Sequence, residues 1–246
     1  MLSTLTALHS FDDDIVSIIV GSEKRRFMAH GSVLGHSSSF FRAALDKAWK
    51  EGKARVIELP DDDVDLFHRY LHFLHTKRLP CNPVAAATHT EFDVHEKEFE
   101  LLARMYVLAE KLQDDTMRNA IIDGFIAKGS LRDSEGTRWF ATNEDVDIIY
   151  RGTGQGSHMR RLLVDMHVSS GHARWLEDEI NNAEFTLDLS RKLLDIVARE
   201  VPRQAYGRII YRNCEYHYHE DKEYCSSGFR KRKRESTDGA ESDDDV

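Results

Sequence analysis

The residues best suited to chemistry lie near the C-terminus, where Cys214-Glu215-Tyr216-His217-Tyr218-His219 is followed by Cys225. Two thiols and two imidazoles are the donor set of a structural zinc site, in which four soft or borderline ligands close a tetrahedron. Such an ion stabilises a short segment that has too little core of its own. Two residues separate Cys214 from His217, one separates His217 from His219, and five separate His219 from Cys225. That spacing is not a standard finger, and the two histidines reach one side only if an extended segment bends. Two readings stay open: structural zinc on Cys214, His217, His219 and Cys225, or a polar aromatic surface segment whose histidines are incidental.

Other candidates carry less. His68, His72 and His75 share one helix face, but no glutamate follows the first histidine as in a zincin, so a solvated or boundary face is expected. The glycine run Arg151-Gly152-Thr153-Gly154-Gln155-Gly156-Ser157 follows an apolar stretch, Val146 to Tyr150, that reads as a strand. A helical pattern at Met159, Leu162, Leu163 and Met166 comes after it. Strand, glycine loop and helix are the context of a phosphate-binding loop. The run lacks a Gly-Lys-Ser/Thr ending, and its glycine spacing is not the dinucleotide fingerprint. No following strand completes a βαβ unit. A flexible turn with Ser157 as helix N-cap is the expectation. Without paired carboxylates, a nucleophile and base, or a phosphate loop, the chain does not read as an enzyme.

The formal net charge of -9 argues against nucleic-acid binding by the surface as a whole, because phosphate contacts need clustered Lys and Arg. The longest run of basic residues is Arg230-Lys231-Arg232-Lys233-Arg234, ahead of an acidic, polar end. Neither stretch can bury a core, so residues 230–246 are expected to be disordered. The basic run reads as a nuclear localisation signal, with a solvated charge run or neutralisation by Asp243-Asp244-Asp245 as alternatives. Ser236, Thr237 and Ser242 lie beside acidic residues as candidate phosphorylation sites. Three scattered cysteines form no disulfide framework, no signal peptide is evident, and no apolar run approaches a membrane span. A soluble protein of the nucleus or cytoplasm is expected.

The elements that would position these residues follow from periodicity. The β-branched run Ile15 to Val20 reads as a buried strand entering a turn, and residues 25–29 complete a hairpin. From Ser38, the residues Phe40, Phe41, Ala44, Leu45, Ala48 and Trp49 lay an apolar stripe along a helix. Residues 55–59 form a short strand closed by Pro60. Asp61-Asp62-Asp63 then caps a helix carrying Val64, Phe67, Leu71 and Leu74. Residues 79–94 read as a loop before Phe99, Leu102, Tyr106 and Ala109 restart the helical period. A helix over 114–127 turns Met117, Ile121 and Phe125 inward, and a later one carries Leu187, Leu189, Leu193, Leu194 and Val197. A small sheet flanked by a helical cluster is an α+β arrangement.

In this order the blocks resemble the BTB/POZ family over the first half of the chain. Asp14-Ile15-Val16-Ser17-Ile18-Ile19-Val20-Gly21 is similar to the family's opening strand. Phe27-Met28-Ala29-His30 with Val33-Leu34 resembles the signature that follows, which implies a buried structural role for His30. Ser38-Ser39-Phe40-Phe41 is similar to its serine and paired-aromatic helix start. Ile57-Glu58-Leu59 with Asp62, Phe67 and Leu71 to Thr76, then Tyr106-Val107-Leu108-Ala109-Glu110-Lys111, resemble the later strand and helices. The chain departs from the family in a longer insert at 79–96. The stretch from Ile149-Tyr150 through Ser157 to Arg160-Arg161-Leu162-Leu163-Val164-Asp165 also resembles the C-terminal region of filamentous-fungal BTB proteins.

The resemblance implies a homodimerising recruitment module, and in many members an adaptor for a cullin-type ubiquitin ligase. Recruitment there uses a hydrophobic residue, any residue, then glutamate; Trp49-Lys50-Glu51 fits. An aromatic anchor with a carboxylate at its rim is interface logic. The alternative has Trp49 completing the inner stripe and Glu51 solvated. The expected organisation is a BTB/POZ domain over 11–128, a mainly helical region over 129–208, a zinc-binding segment over 209–229 and a tail over 230–246. The expected role is an adaptor, or a nuclear scaffold or transcriptional co-regulator that binds no cullin. No kelch or MATH repeat is recognisable, so the client protein is not read from the sequence.

Overall fold

The computed structural model describes residues 14–46, 50–80, 91–132, 135–172, 175, 182–198 and 213–219. Trp49, Cys225 and the basic run Arg230, Lys231, Arg232, Lys233 and Arg234 lie outside these residues, as does the rest of the 230–246 tail.

Strand β1 (Ile15–Val20) pairs antiparallel with β2 (Arg25–His30) and parallel with β3 (Val56–Leu59), giving the order β2-β1-β3. Val16, Ile18 and Val20 point inward and are buried, as the period of two requires. Ser17 stands opposite both Met28 and Val56, so Ile15, Ser17 and Ile19 share the outer face with Met28 and Glu58. The hairpin turns at Gly21, whose φ of +73° is a left-handed conformation open to glycine at little cost.

Helices α1 (Gly31–Ser37), α2 (Ser39–Ala44), α3 (Lys50–Ala54) and α4 (Val64–Thr76) surround the sheet. They are followed by α5 (Glu91–Lys111), α6 (Asp115–Ser130), α7 (Asn143–Gly152), α8 (His158–Ser170) and α9 (Ala183–Ala198). A 3-10 turn at Asn213–Glu215 comes last among the described residues. The Asp63 carboxylate caps α4 by accepting from the amides of Asp65 and Leu66. The Leu66 amide, helped by the Asp65 amide and Arg104, holds that carboxyl below its usual range. Met117, Ile121 and Phe125 point into the core as their spacing predicts.

Four expectations change. The helix from Ser38 ends at Ala44 and a separate short helix begins at Lys50, because the Asp46 amide turns back to the Ala43 carbonyl and tightens the last turn. Helix α5 starts at Glu91, inside the stretch read as loop. Val146 to Tyr150 is helical: Thr142 and Asp145 form a capping box, and Val146, Ile149 and Tyr150 fall on one buried face at helical spacing. His30 is half-buried at the N-cap of α1 rather than fully enclosed.

One core runs through both halves, joining Phe99, Phe125 and Leu102 to Leu162, Met166 and Phe185. Helix α7 packs on α5, α8 on α7, and α9 on α8. The buried Arg160 of α8 ties down the glycine run: its guanidinium donates to the carbonyls of Tyr150 and Thr153, and its Nε to Thr153 Oγ1 at 3.0 Å. Among the described residues, no helix is long and apolar enough to cross a membrane.

Candidate partner-binding surface

An open groove of about 670 Å³ lies between α2, α3 and β3. Phe40, Ala43, Ala44, Ala54 and Val56 supply an apolar floor, and Glu51 and Glu58 stand exposed at its edge. Helix α3 lies close against the preceding chain because Gly52 is buried there; a Cβ at this position would collide with the Asp46 carbonyl. Of the expected recruitment residues, Glu51 is exposed at the start of α3, beside the groove. Lys50 heads that helix in backbone, with its side chain outside the described residues like Trp49.

Three consecutive serines fix α2. Ser38 Oγ caps α2 by accepting from the Phe41 amide and donates to the Leu112 carbonyl. Ser39 donates to the Gln113 carbonyl, and Ser37 Oγ to Asp114 Oδ2 at 2.6 Å. The buried Asp114 also accepts from Tyr70 Oη at 3.0 Å and caps α6 through the Met117 amide. Sequence reasoning missed this network; its only local signal is Asp114-Asp115 at a helix start.

The segment 214–219 is docked rather than loose. The buried Tyr216 donates to Asp165 Oδ2 at 2.9 Å, and the buried His217 has its Nε2 2.9 Å from Asp123 Oδ1. The Tyr218 ring is held between the Arg118 guanidinium, 3.8 Å from its centroid, and the His158 ring, stacked at 4.0 Å. Cys214 Sγ and His219 Nε2 come to 3.5 Å. Thus Cys214 and His219 meet, while His217 turns its Nε2 to α6. Among the described residues no three His, Cys, Asp or Glu side chains gather as metal ligands. His68, His72 and His75 are exposed, as expected for a solvated face. Ser157 sits at the N-cap of α8 without capping it, its hydroxyl instead 3.2 Å from Tyr106 Oη.

The three-stranded sheet with its helical cluster carries an open groove with an apolar floor. Residues 9–114 match the family model of the BTB/POZ domain, and the chain carries a BTB/POZ domain over these residues, followed by a helical C-terminal region. It is similar to Kelch-like protein 40 of Xenopus tropicalis, 30% identical over 67 residues. That similarity covers 27% of this chain and 11% of the relative's length.

Proposed function

We propose that the chain is an adaptor that dimerises through its BTB domain and recruits a client to a cullin-type ubiquitin ligase, using the surface around Trp49, Lys50 and Glu51. The observation that carries the reading is Glu51, exposed at the start of α3 beside an apolar-floored groove. A partner side chain seated there would lose water on apolar walls while the carboxylate fixes its orientation. Dimerisation is supported by Ile15 and Met28, 53% and 66% exposed on neighbouring strands of the outer sheet face. They stand diagonally across the ladder, Ile15 facing His30 and Met28 facing Ser17, as an exposed apolar spot that a second copy could cover.

The test is a pull-down of the cullin's N-terminal region with the intact protein and with a Trp49→Ala, Glu51→Lys variant. Light scattering on both checks fold and dimer. Loss of an anchor at such a site costs about 2 kcal/mol or more, roughly thirty-fold in affinity. A folded dimeric wild-type protein that retains no cullin removes the ligase reading.

The basic run at Arg230 to Arg234 favours a second reading, a nuclear scaffold or co-regulator that binds no cullin. A fluorescent fusion that leaves the nucleus on Arg232→Ala with Lys233→Ala supports it; unchanged distribution removes it.

A further inference from the structure

We propose that the free edge of β3 takes an extended segment of a partner protein as an added strand, one that alternates apolar residues with lysine or arginine. Among the described residues the sheet ends at β3, which pairs with β1 on one side alone. The Ser17 amide donates to the Arg55 carbonyl and the Gly21 amide to the Leu59 carbonyl, both at 2.9 Å. Backbone groups alternate along a strand, so residues 55, 57 and 59 face β1 and the N–H and C=O of Val56 and Glu58 face away. These two N–H and two C=O groups have no hydrogen-bond partner among the described residues.

The space beside that edge is open. The groove between α2, α3 and β3 runs along it, lined by Val56, Ile57 and Glu58 of the strand and by Phe40, Ala43 and Ala44 of α2. When a strand is added to a sheet, main-chain hydrogen bonds supply affinity and the surroundings of alternate side chains supply specificity. Side chains of the added strand alternate between the two faces of the sheet. Those on the side of the buried Ile57 meet the apolar residues of α2, and those on the other side stand beside the exposed Glu58. The site borders the groove of the proposed function without resting on the ligase reading.

The charge of the edge selects its occupant. Glu51 and Glu58 are both exposed beside the groove, so basic residues of an added strand gain a carboxylate neighbour and acidic ones are opposed. Arg55, next to the strand, is engaged by Asp14 at 2.5 Å. A second copy of β3 would bring a second Glu51 and Glu58 to the same groove, and like charges on an edge count against that pairing. The strand is four residues long, so its main-chain bonds are few and the side chains of the partner must contribute the rest.

The test presents the full-length protein to a displayed library of random peptides and then measures synthetic copies of those selected. Selected peptides are expected to alternate apolar residues with lysine or arginine. Methylating their amide nitrogens one at a time should weaken binding about ten-fold at every second position, those that face β3, and leave the intervening positions unchanged. On the protein side, Glu58→Gln removes the charge, whereas Glu58→Pro removes the charge and the outward N–H, a change that an edge strand tolerates. Glu58→Pro is therefore expected to bind the peptides about three-fold or more weakly than Glu58→Gln, with thermal melts checking that both fold. The methylation series needs only the unaltered protein and stands even if the proline variant does not fold. No enriched peptide, methylation effects without a period of two, or equal binding by the two folded variants overturns the proposal. So does light scattering that finds the unaltered protein dimeric and a folded Glu58→Pro monomeric, which would assign the edge to a second copy. Cullin retention is scored separately with the Trp49 and Glu51 variant, so either reading can fail without the other.

Discussion

The side-chain amide of Asn119 meets the backbone of Tyr218 along both of its edges, Nδ2 donating to the Tyr218 carbonyl at 2.9 Å and Oδ1 accepting from its amide at 2.8 Å. Asn119 lies on α6, so this pair joins the C-terminal segment to the helices beside the BTB domain. Asn119→Asp keeps the acceptor but replaces the donor with an oxygen facing the Tyr218 carbonyl. The expected loss is about 1–3 kcal/mol, because a part-buried carbonyl is left without its partner. Urea unfolding measures it, and hydrogen exchange should show the Tyr218 amide losing protection before the core of α6. Unchanged protection at Tyr218 would mean that Tyr216 and His217 hold the segment by themselves.

Gly152 closes α7 directly over Val107 of α5, where a Cβ would collide with both valine methyls. Alanine ordinarily exceeds glycine in a helix by about 1 kcal/mol, yet here the opposite sign is expected. Val107 is β-branched and cannot easily rotate away within a helix. Gly152→Ala should therefore cost about 1–3 kcal/mol through overpacking. In a Val107→Ala background the same substitution should become neutral or stabilising, and a thermal-melt double-mutant cycle would show that reversal. A cost that persists without the valine methyls would place the strain elsewhere.

The strands and the apolar faces of α4, α5 and α6 were legible in the sequence because burial leaves a period of two or of 3.6 residues. Val146 to Tyr150 was misread because a short apolar run looks alike in strand and helix; the deciding residues, Thr142 and Asp145, stand outside the run. The docking of Tyr216, His217 and Tyr218 was not legible, since their partners Asp165, Asp123 and Asn119 lie between 51 and 99 positions away. Separations of 77 and 44 positions likewise hide the Ser37, Tyr70 and Asp114 network, which joins three separate elements. Residue types single out segment 214–219 for its donors, but only the fold separates His217, turned to Asp123, from Cys214 and His219.

Tyr70 is buried with its hydroxyl on Asp114, and burial, reinforced by that carboxylate, pushes its ionisation well above the usual range. Because the folded state holds this proton more tightly than the unfolded chain, the associated stability is complete below about pH 10 and is lost as pH rises through the folded value. Tyr70→Phe should cost about 1 kcal/mol near neutrality by removing a buried hydrogen bond. It should also flatten the alkaline fall in stability, which denaturant titrations at pH 8 and above would detect. An alkaline limb of unchanged steepness would assign the effect to the other buried tyrosines, Tyr106 among them.

His167 supplies the opposite limb. Its ring lies on α8 with centroid distances of 4.8 Å to Phe185 and 5.5 Å to Trp175. Burial among these rings lowers its pKa, against a smaller opposing effect from the Leu163 carbonyl, 2.8 Å from Nδ1. His158, stacked on Tyr218, is lowered in the same direction, again chiefly by burial. In the unfolded chain both histidines take up a proton near pH 6.5, whereas the folded protein resists it. The stability tied to their neutral forms is therefore complete above about pH 6.5 and is lost as pH falls through the lower folded values. Denaturant unfolding at pH 7.5 and 5.5 should show this drop. His167→Leu, which keeps an apolar group against Phe185, should make it smaller. Because His158 faces the docked segment, the amides of Tyr216 and Tyr218 should lose protection, relative to their intrinsic exchange rates, in acid before those of α5 do. Uniform acid destabilisation of the two regions would place the titrating group elsewhere in the core.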